Sequence, residues 1–205
     1  MTDPELTKQA RQNMFHALRE YRDAKLKVQS LTQYPSFLRD AQLPAVIRAI
    51  DQATEYILIA RDLDPSVTIG QQNNEITIND VITRILLLEA IIYGYAEKAQ
   101  DLGYEWQVAH AVDVLKKYLT YQPDNLSAVI FYIRLLVRLN QNKLARSILD
   151  DLLAEHPEHQ EAWVVLEDFK TLELHERIWP KQPNKPYESF LYYEWMLAYP
   201  IGKLP

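Results

Sequence analysis

The side chains with the most obvious chemical potential cluster late in the chain. His156 and His159 stand beside Glu155, Glu158 and Glu161. Imidazole with carboxylate is a recurrent zinc-ligand set. Here, however, the two histidines flank Pro157 in a predicted turn, and the H-E-x-x-H spacing that sets two imidazoles on one helical face does not occur. No metal site is predicted. Serine, histidine and aspartate are all present, but no G-x-S-x-G elbow places them for nucleophilic attack. Neither G-x-x-x-x-G-K-[ST] nor G-x-G-x-x-G appears, so no phosphate or dinucleotide cradle is predicted. The chain has no cysteine, which excludes disulfides, thiolate zinc sites, iron–sulfur ligation and Cys nucleophiles. No catalytic residue and no cofactor is expected; an enzyme would need a site that none of these motifs describes.

Charge carries more information. Residues 150–176 hold nine acidic side chains against Lys170 alone, a local charge of −8. Such a region suits a basic partner surface and faster association at low salt; a solvated end cap is the plainer alternative. Arg134 and Arg138 are four residues apart, on one face of a predicted helix. The guanidinium fork matches a carboxylate, and solvated surface arginines are again the alternative. The whole chain has a net charge of −6. That argues against general nucleic-acid binding, which needs a basic surface.

Helices must position these groups. The 205 residues include only 4 glycines, too few for a fold built on many tight β-turns. A first helix is predicted from Pro4 to Ser30, with Thr2 as its cap and Glu5 completing a capping box. Ala10, Met14, Ala17, Leu18, Tyr21, Ala24 and Val28 form its apolar stripe. Pro35 and Pro44 bracket a piece read as irregular, and a second helix runs from Pro44 to Leu63, ended by Pro65. Val67-Thr68-Ile69 and Ile76-Thr77-Ile78 then surround a polar turn. This pattern predicts a small hairpin over 66–79, with a plain loop as the alternative.

Asn79 or Asp80 is expected to cap a third helix reaching Leu102, with Gly103 as its stop. Between Ile85 and Ala96 its only charge is Glu89, so neighbours must cover it on several sides. With Arg84 and Glu89 inside it, the apolar run from Val81 to Ala96 is too short and too charged for a bilayer span. Further helices are predicted at 106–120, 126–139, 143–155 and 160–174. The opening residues Met1 to Glu5 lack the basic and apolar regions of a signal peptide. A cytoplasmic location is the expectation.

Pro123 and Pro157 are 34 residues apart, each following a helix. Ala111 and Ala145 lie at one common offset before them, as do Leu115 and Leu149, and Tyr118 and Leu152. Laid on Pro65, the same ruler finds Ala53, Ile57 and Ala60. Trp163-x-x-Leu166 opens a further helix. This spacing resembles the tetratricopeptide repeat (TPR), a helix–turn–helix unit with a small residue in its second helix and a closing proline. The match is clear over 126–159 and extends to 92–125, with half-repeats at 44–65 and 160–174. Ile133, Glu167 and Lys170 depart from the family's small and aromatic positions.

The resemblance implies an all-α stack of antiparallel helix pairs, with the hairpin as an insert. It gives a helical domain over 1–178, whose repeat core is 92–174. It also implies a concave protein-binding surface on the first helix of each unit. The residues so placed are Tyr93, Ala96 and Gln100, then Ser127, Ile130, Arg134, Val137 and Arg138, then Glu161, Val164 and Asp168. Ile130 and Arg134 stand where the family's peptide-carboxylate clamp uses other residues, so that clamp is not expected.

After Trp179 the composition shifts. Pro180, Pro183 and Pro186 precede an aromatic run that includes Tyr187, Phe190 and Trp195. This 179–205 segment is expected either to cap its own helical array or to anchor on another chain. The resulting functional expectation is a non-catalytic interaction module: a scaffold, adaptor or assembly factor with another protein as its partner. A structural subunit held in an assembly by its aromatic tail is the alternative.

Overall fold

The computed structural model describes residues 3–31, 36–70, 74–95 and 104–178. Their order is α1 (Pro4–Leu31), α2 (Ser36–Leu63), β1 (Thr68–Ile69), β2 (Ile76–Thr77), α3 (Ile78–Tyr95), α4 (Tyr104–Tyr121), α5 (Leu126–Arg138), α6 (Asn142–Glu155) and α7 (Gln160–Ile178). The fold is all-α, with helices packed in adjacent pairs and one two-stranded insert. Sequence reading treats 1–178 as one helical domain; the packing divides the chain between Gln122 and Pro123 into two compact units.

In the first unit α1 packs extensively on α2, α3 packs on α4, and α3 also touches α1 and α2. Ala10, Met14, Ala17, Tyr21, Ala24 and Val28 are buried as their spacing predicts, while Leu18 is half-buried. Asp3 caps the start of α1; the expected cap, Thr2, lies outside the described residues. The Asp3 carboxylate accepts from the Glu5 amide at 2.9 Å, one of the orphan donors of the first turn.

The second helix differs from expectation. It starts at Ser36 and passes through Pro44. Proline costs one helical hydrogen bond and crowds the preceding turn. Val46, Ala49, Ile50, Ala53, Ile57 and Ala60 are all buried beyond it, and that packing carries the helix through the break.

The hairpin pairs Thr68 with Thr77 and Ile69 with Ile76, antiparallel. Gly70 has φ +121°, and a Cβ there would lie 2.3 Å from the Asn74 carbonyl oxygen, so only glycine fits. The third helix is capped by Thr77 rather than by Asn79 or Asp80. Thr77 Oγ1 accepts from the Asp80 amide at 3.1 Å, and Asp80 Oδ2 accepts from the Thr77 amide at 2.8 Å. That is a reciprocal capping box with Asp80 in its third position. The described part of α3 ends at Tyr95, so the expected stop at Leu102–Gly103 lies outside the described residues. Val81, Ile85, Leu87, Leu88, Ala90 and Ile91 are buried on several sides of α3, as an apolar helix touching three others requires.

In the second unit α5 packs on α6, α6 on α7 and α5 on α7. Asn125 caps α5, its side chain accepting from the Ala128 amide at 3.1 Å. At the other end Asn140 takes φ 59°. The Gln141 amide bonds the Leu136 carbonyl and the Asn140 amide bonds the Val137 carbonyl, both at 2.9 Å. This is the Schellman closure, with asparagine in the left-handed position. Among the described helices, none is long and apolar enough to cross a membrane.

Candidate functional site

The small-residue ruler has a direct physical counterpart. Ala53, Ala111 and Ala145 are fully buried, as are Leu115 and Leu149, and Tyr118 and Leu152 are nearly so. Alanine at these points lets a neighbouring helix approach to backbone distance, and the larger residues at the other offsets fill the space beside it.

The candidate surface residues take up three different roles. The first is packing. Ile130 is 0% exposed and Val137 is buried, so in this structure both belong to the core of α5. The second is an internal strut. Arg134 Nη1 lies 3.2 Å from Glu161 Oε1, joining α5 to α7 inside the second unit. The Arg134 side chain is only 9% exposed and that of Glu161 36% exposed. A cation so far from water needs its carboxylate partner. Two of the predicted contact residues are thus brought together, but on each other. The third role is exposure. Ser127, Arg138 and Asp168 are half-exposed, and Val164 is 57% exposed. Gln100, Tyr187, Phe190 and Trp195 lie outside the described residues, as does Ala96.

Tyr93 belongs to the first unit. Its ring meets His110 edge to face, centroids 4.4 Å apart. His110 Nε2 lies 2.8 Å from Glu89 Oε1, bridging α4 to α3. Burial, and then the negative charges of Asp51 and Glu89, push the Tyr93 hydroxyl pKa up. The sequence carries a signal for this cluster: Glu89 is the one charge between Ile85 and Ala96, and a carboxylate in so apolar a stretch favours a polar partner.

Asp64 forms a second polar cluster in the first unit. It is 2% exposed, at the end of α2. Its Oδ2 accepts from Thr7 Oγ1 of α1 at 2.7 Å. Its Oδ1 accepts from the Ser66 amide at 3.0 Å and from Ser66 Oγ at 2.7 Å. The hydrogen bonds from Ser66 and Thr7 hold its carboxyl below the ordinary value, outweighing the effect of burial. The Leu-Asp-Pro-Ser sequence offered only a weak sign, an aspartate poised to bond the turn that follows it.

Of the two histidines near Pro157, His159 has a structural role. His159 Nδ1 accepts from the Ala162 amide at 3.2 Å and caps α7. Trp163 Nε1 donates to the Pro157 carbonyl at 2.7 Å, tying the turn to the first coil of the same helix.

Residues 107–166 match the family model of the tetratricopeptide repeat. The match covers the buried alanines Ala111 and Ala145 and both prolines of the ruler. Over these residues the chain carries a TPR-like helical repeat. Repeats of this family generally mediate protein–protein interaction and are generally not catalytic. No curated protein and no solved structure matches the chain.

Proposed function

We propose that this protein is a non-catalytic adaptor or assembly factor that holds a partner segment on the first helices of its repeat, α5 and α7. The observation that carries this reading is the repeat match over 107–166. It covers Ser127, Arg138 and Val164, which with Asp168 just beyond it form a set of exposed and half-exposed side chains on those two helices. In this reading Arg134 contributes rigidity through Glu161, and Arg138 is the arginine that meets a partner. A rigid surface lowers the ordering cost of association.

Site-specific photo-crosslinking tests the proposal. A benzophenone side chain at position 127 or 138 should capture a discrete protein in the native host. The same group at position 150, on α6, should not. Equal capture from all three positions, or from none, would remove the groove from the account.

A further inference from the structure

The outer face of α1 carries a pattern that neither the repeat nor the core explains. Lys8, Arg11, Phe15, Arg19, Arg22 and Leu26 are all exposed and fall within about 80° of one another around the helix. Phe15 is 60% exposed and Leu26 58%. Four cations and two large apolar side chains thus share one stripe. Some of that charge is locally matched, because Lys8 lies 3.7 Å from Glu5 and Arg19 2.9 Å from Glu20.

The chain also holds the complementary pattern. On α6, Leu144, Asp151 and Glu155 are exposed and lie within about 40° of one another. Leu144 is 47% exposed. The pair formed by Arg146 and Asp150, 2.9 Å apart, lies on a different face of α6. Lys143 lies on a neighbouring face as well. The outward stripe of α6 is therefore acidic and apolar, as that of α1 is basic and apolar.

The spacings agree as well as the signs. Leu144 to Asp151 is seven residues, as is Phe15 to Arg22 and as is Leu26 back to Arg19. Seven residues are about two turns, or about 10 Å along a helix. Docked in either direction, an apolar contact is followed two turns on by an arginine–aspartate pair. We propose that the α1 stripe of one copy of this chain docks on the α6 stripe of a second copy. Two α1 stripes placed together would bring like charges into contact, so the pairing is α1 with α6 and not α1 with α1. These two stripes include none of Ser127, Arg138, Val164 and Asp168, and the proposal does not depend on what the repeat binds.

Sedimentation velocity of the full chain tests it. Salt is varied from about 10 mM to about 1 M, over which the screening length falls from about 30 Å to about 3 Å. At low salt the weight-average mass should rise with concentration above the 24.0 kDa of one chain, and at high salt it should return to that value. The double variants Arg19→Glu/Arg22→Glu and Asp151→Lys/Glu155→Lys should each stay monomeric alone. Mixed in equal amounts they should associate again, because each then presents the charge the other lacks. A wild-type chain that is monomeric throughout overturns the proposal, and so does a mixture that does not recover. Binding to phosphatidylserine vesicles by a chain that stays monomeric would assign the α1 stripe to a lipid surface instead, and would also overturn it.

Discussion

In the first unit, two helices of 28 residues are locked at their ends by a buried aspartate; in the second, helices of 13, 14 and 19 residues are closed by a succession of small caps. The difference follows from end effects. Every helix leaves four amides and four carbonyls without helical partners, whatever its length. A 13-residue helix therefore has a much larger share of its backbone to satisfy than a 28-residue one. The second unit meets this need with Asn125, the Asn140 turn, His159 and the Trp163–Pro157 bond. The first unit relies on long buried stripes, with Asp3, Thr77–Asp80 and Asp64 at a few points. Two of the three helices of the second unit start on a side-chain cap, Asn125 and His159, while α6 starts at Gln141 without one.

Core truncation should have the largest effect on that contrast. Leu88 in α3 and Leu149 in α6 are both fully buried. Each Leu→Ala change should cost about 2–5 kcal/mol in chemical denaturation. Hydrogen exchange should show Leu88→Ala loosening α1 to α3 first, and Leu149→Ala loosening α5 to α7 first. An identical exchange pattern for both variants would break the comparison.

The Arg134–Glu161 strut comes next. Glu161→Gln leaves a buried guanidinium with a neutral partner and should destabilise by about 1–3 kcal/mol. Glu161 is partly solvated, which favours the lower end. A variant as stable as the wild type would mean that Arg134 does not brace α5 against α7.

Asp64 gives a pH-dependent test. Its folded pKa lies below the ordinary value of 3.8, so its stabilisation is present above that value and is lost as pH falls through the lower, folded one. Asp64→Asn should lower the thermal midpoint at neutral pH. The gap from wild type should then narrow as pH falls from about 3.8 downward. A gap that stays constant in acid would assign the loss to packing rather than to the carboxylate.

The smallest effects should come from the caps. Thr77→Val and Asn125→Ala should each cost about 0.5–2 kcal/mol. Because the second unit relies more on its helix ends, Asn125→Ala should be the more costly of the two. The reverse order, read by denaturant midpoints, would argue against cap dependence as the distinguishing feature.

Legibility in the sequence follows local pattern. The repeat over 107–166 is readable because Ala145, Leu149, Leu152 and Pro157 repeat the offsets of Ala111, Leu115, Tyr118 and Pro123, and each of the six helical residues holds a packing position. The hairpin was readable from β-branched triplets around a polar turn. The start of α2 was not, because Pro44 is a local helix-breaking signal overridden by burial that occurs only in the folded chain. The same limit applied to the candidate surface. Arg134 and Glu161 are 27 residues apart in sequence, and nothing local shows that one neutralises the other. Ile130 had the right helical phase for a groove, but phase alone does not distinguish a residue facing a partner from one facing the core. Asp64 depends on Thr7 of a distant helix, a contact that only tertiary structure reveals.

The most direct test of the functional account compares Arg138→Glu with wild type in affinity capture from the native host, with thermal unfolding measured on the same preparations. The account predicts that Arg138→Glu loses a specific protein partner while the chain still unfolds in one cooperative transition. Retention of the full partner set by a folded Arg138→Glu protein would contradict it.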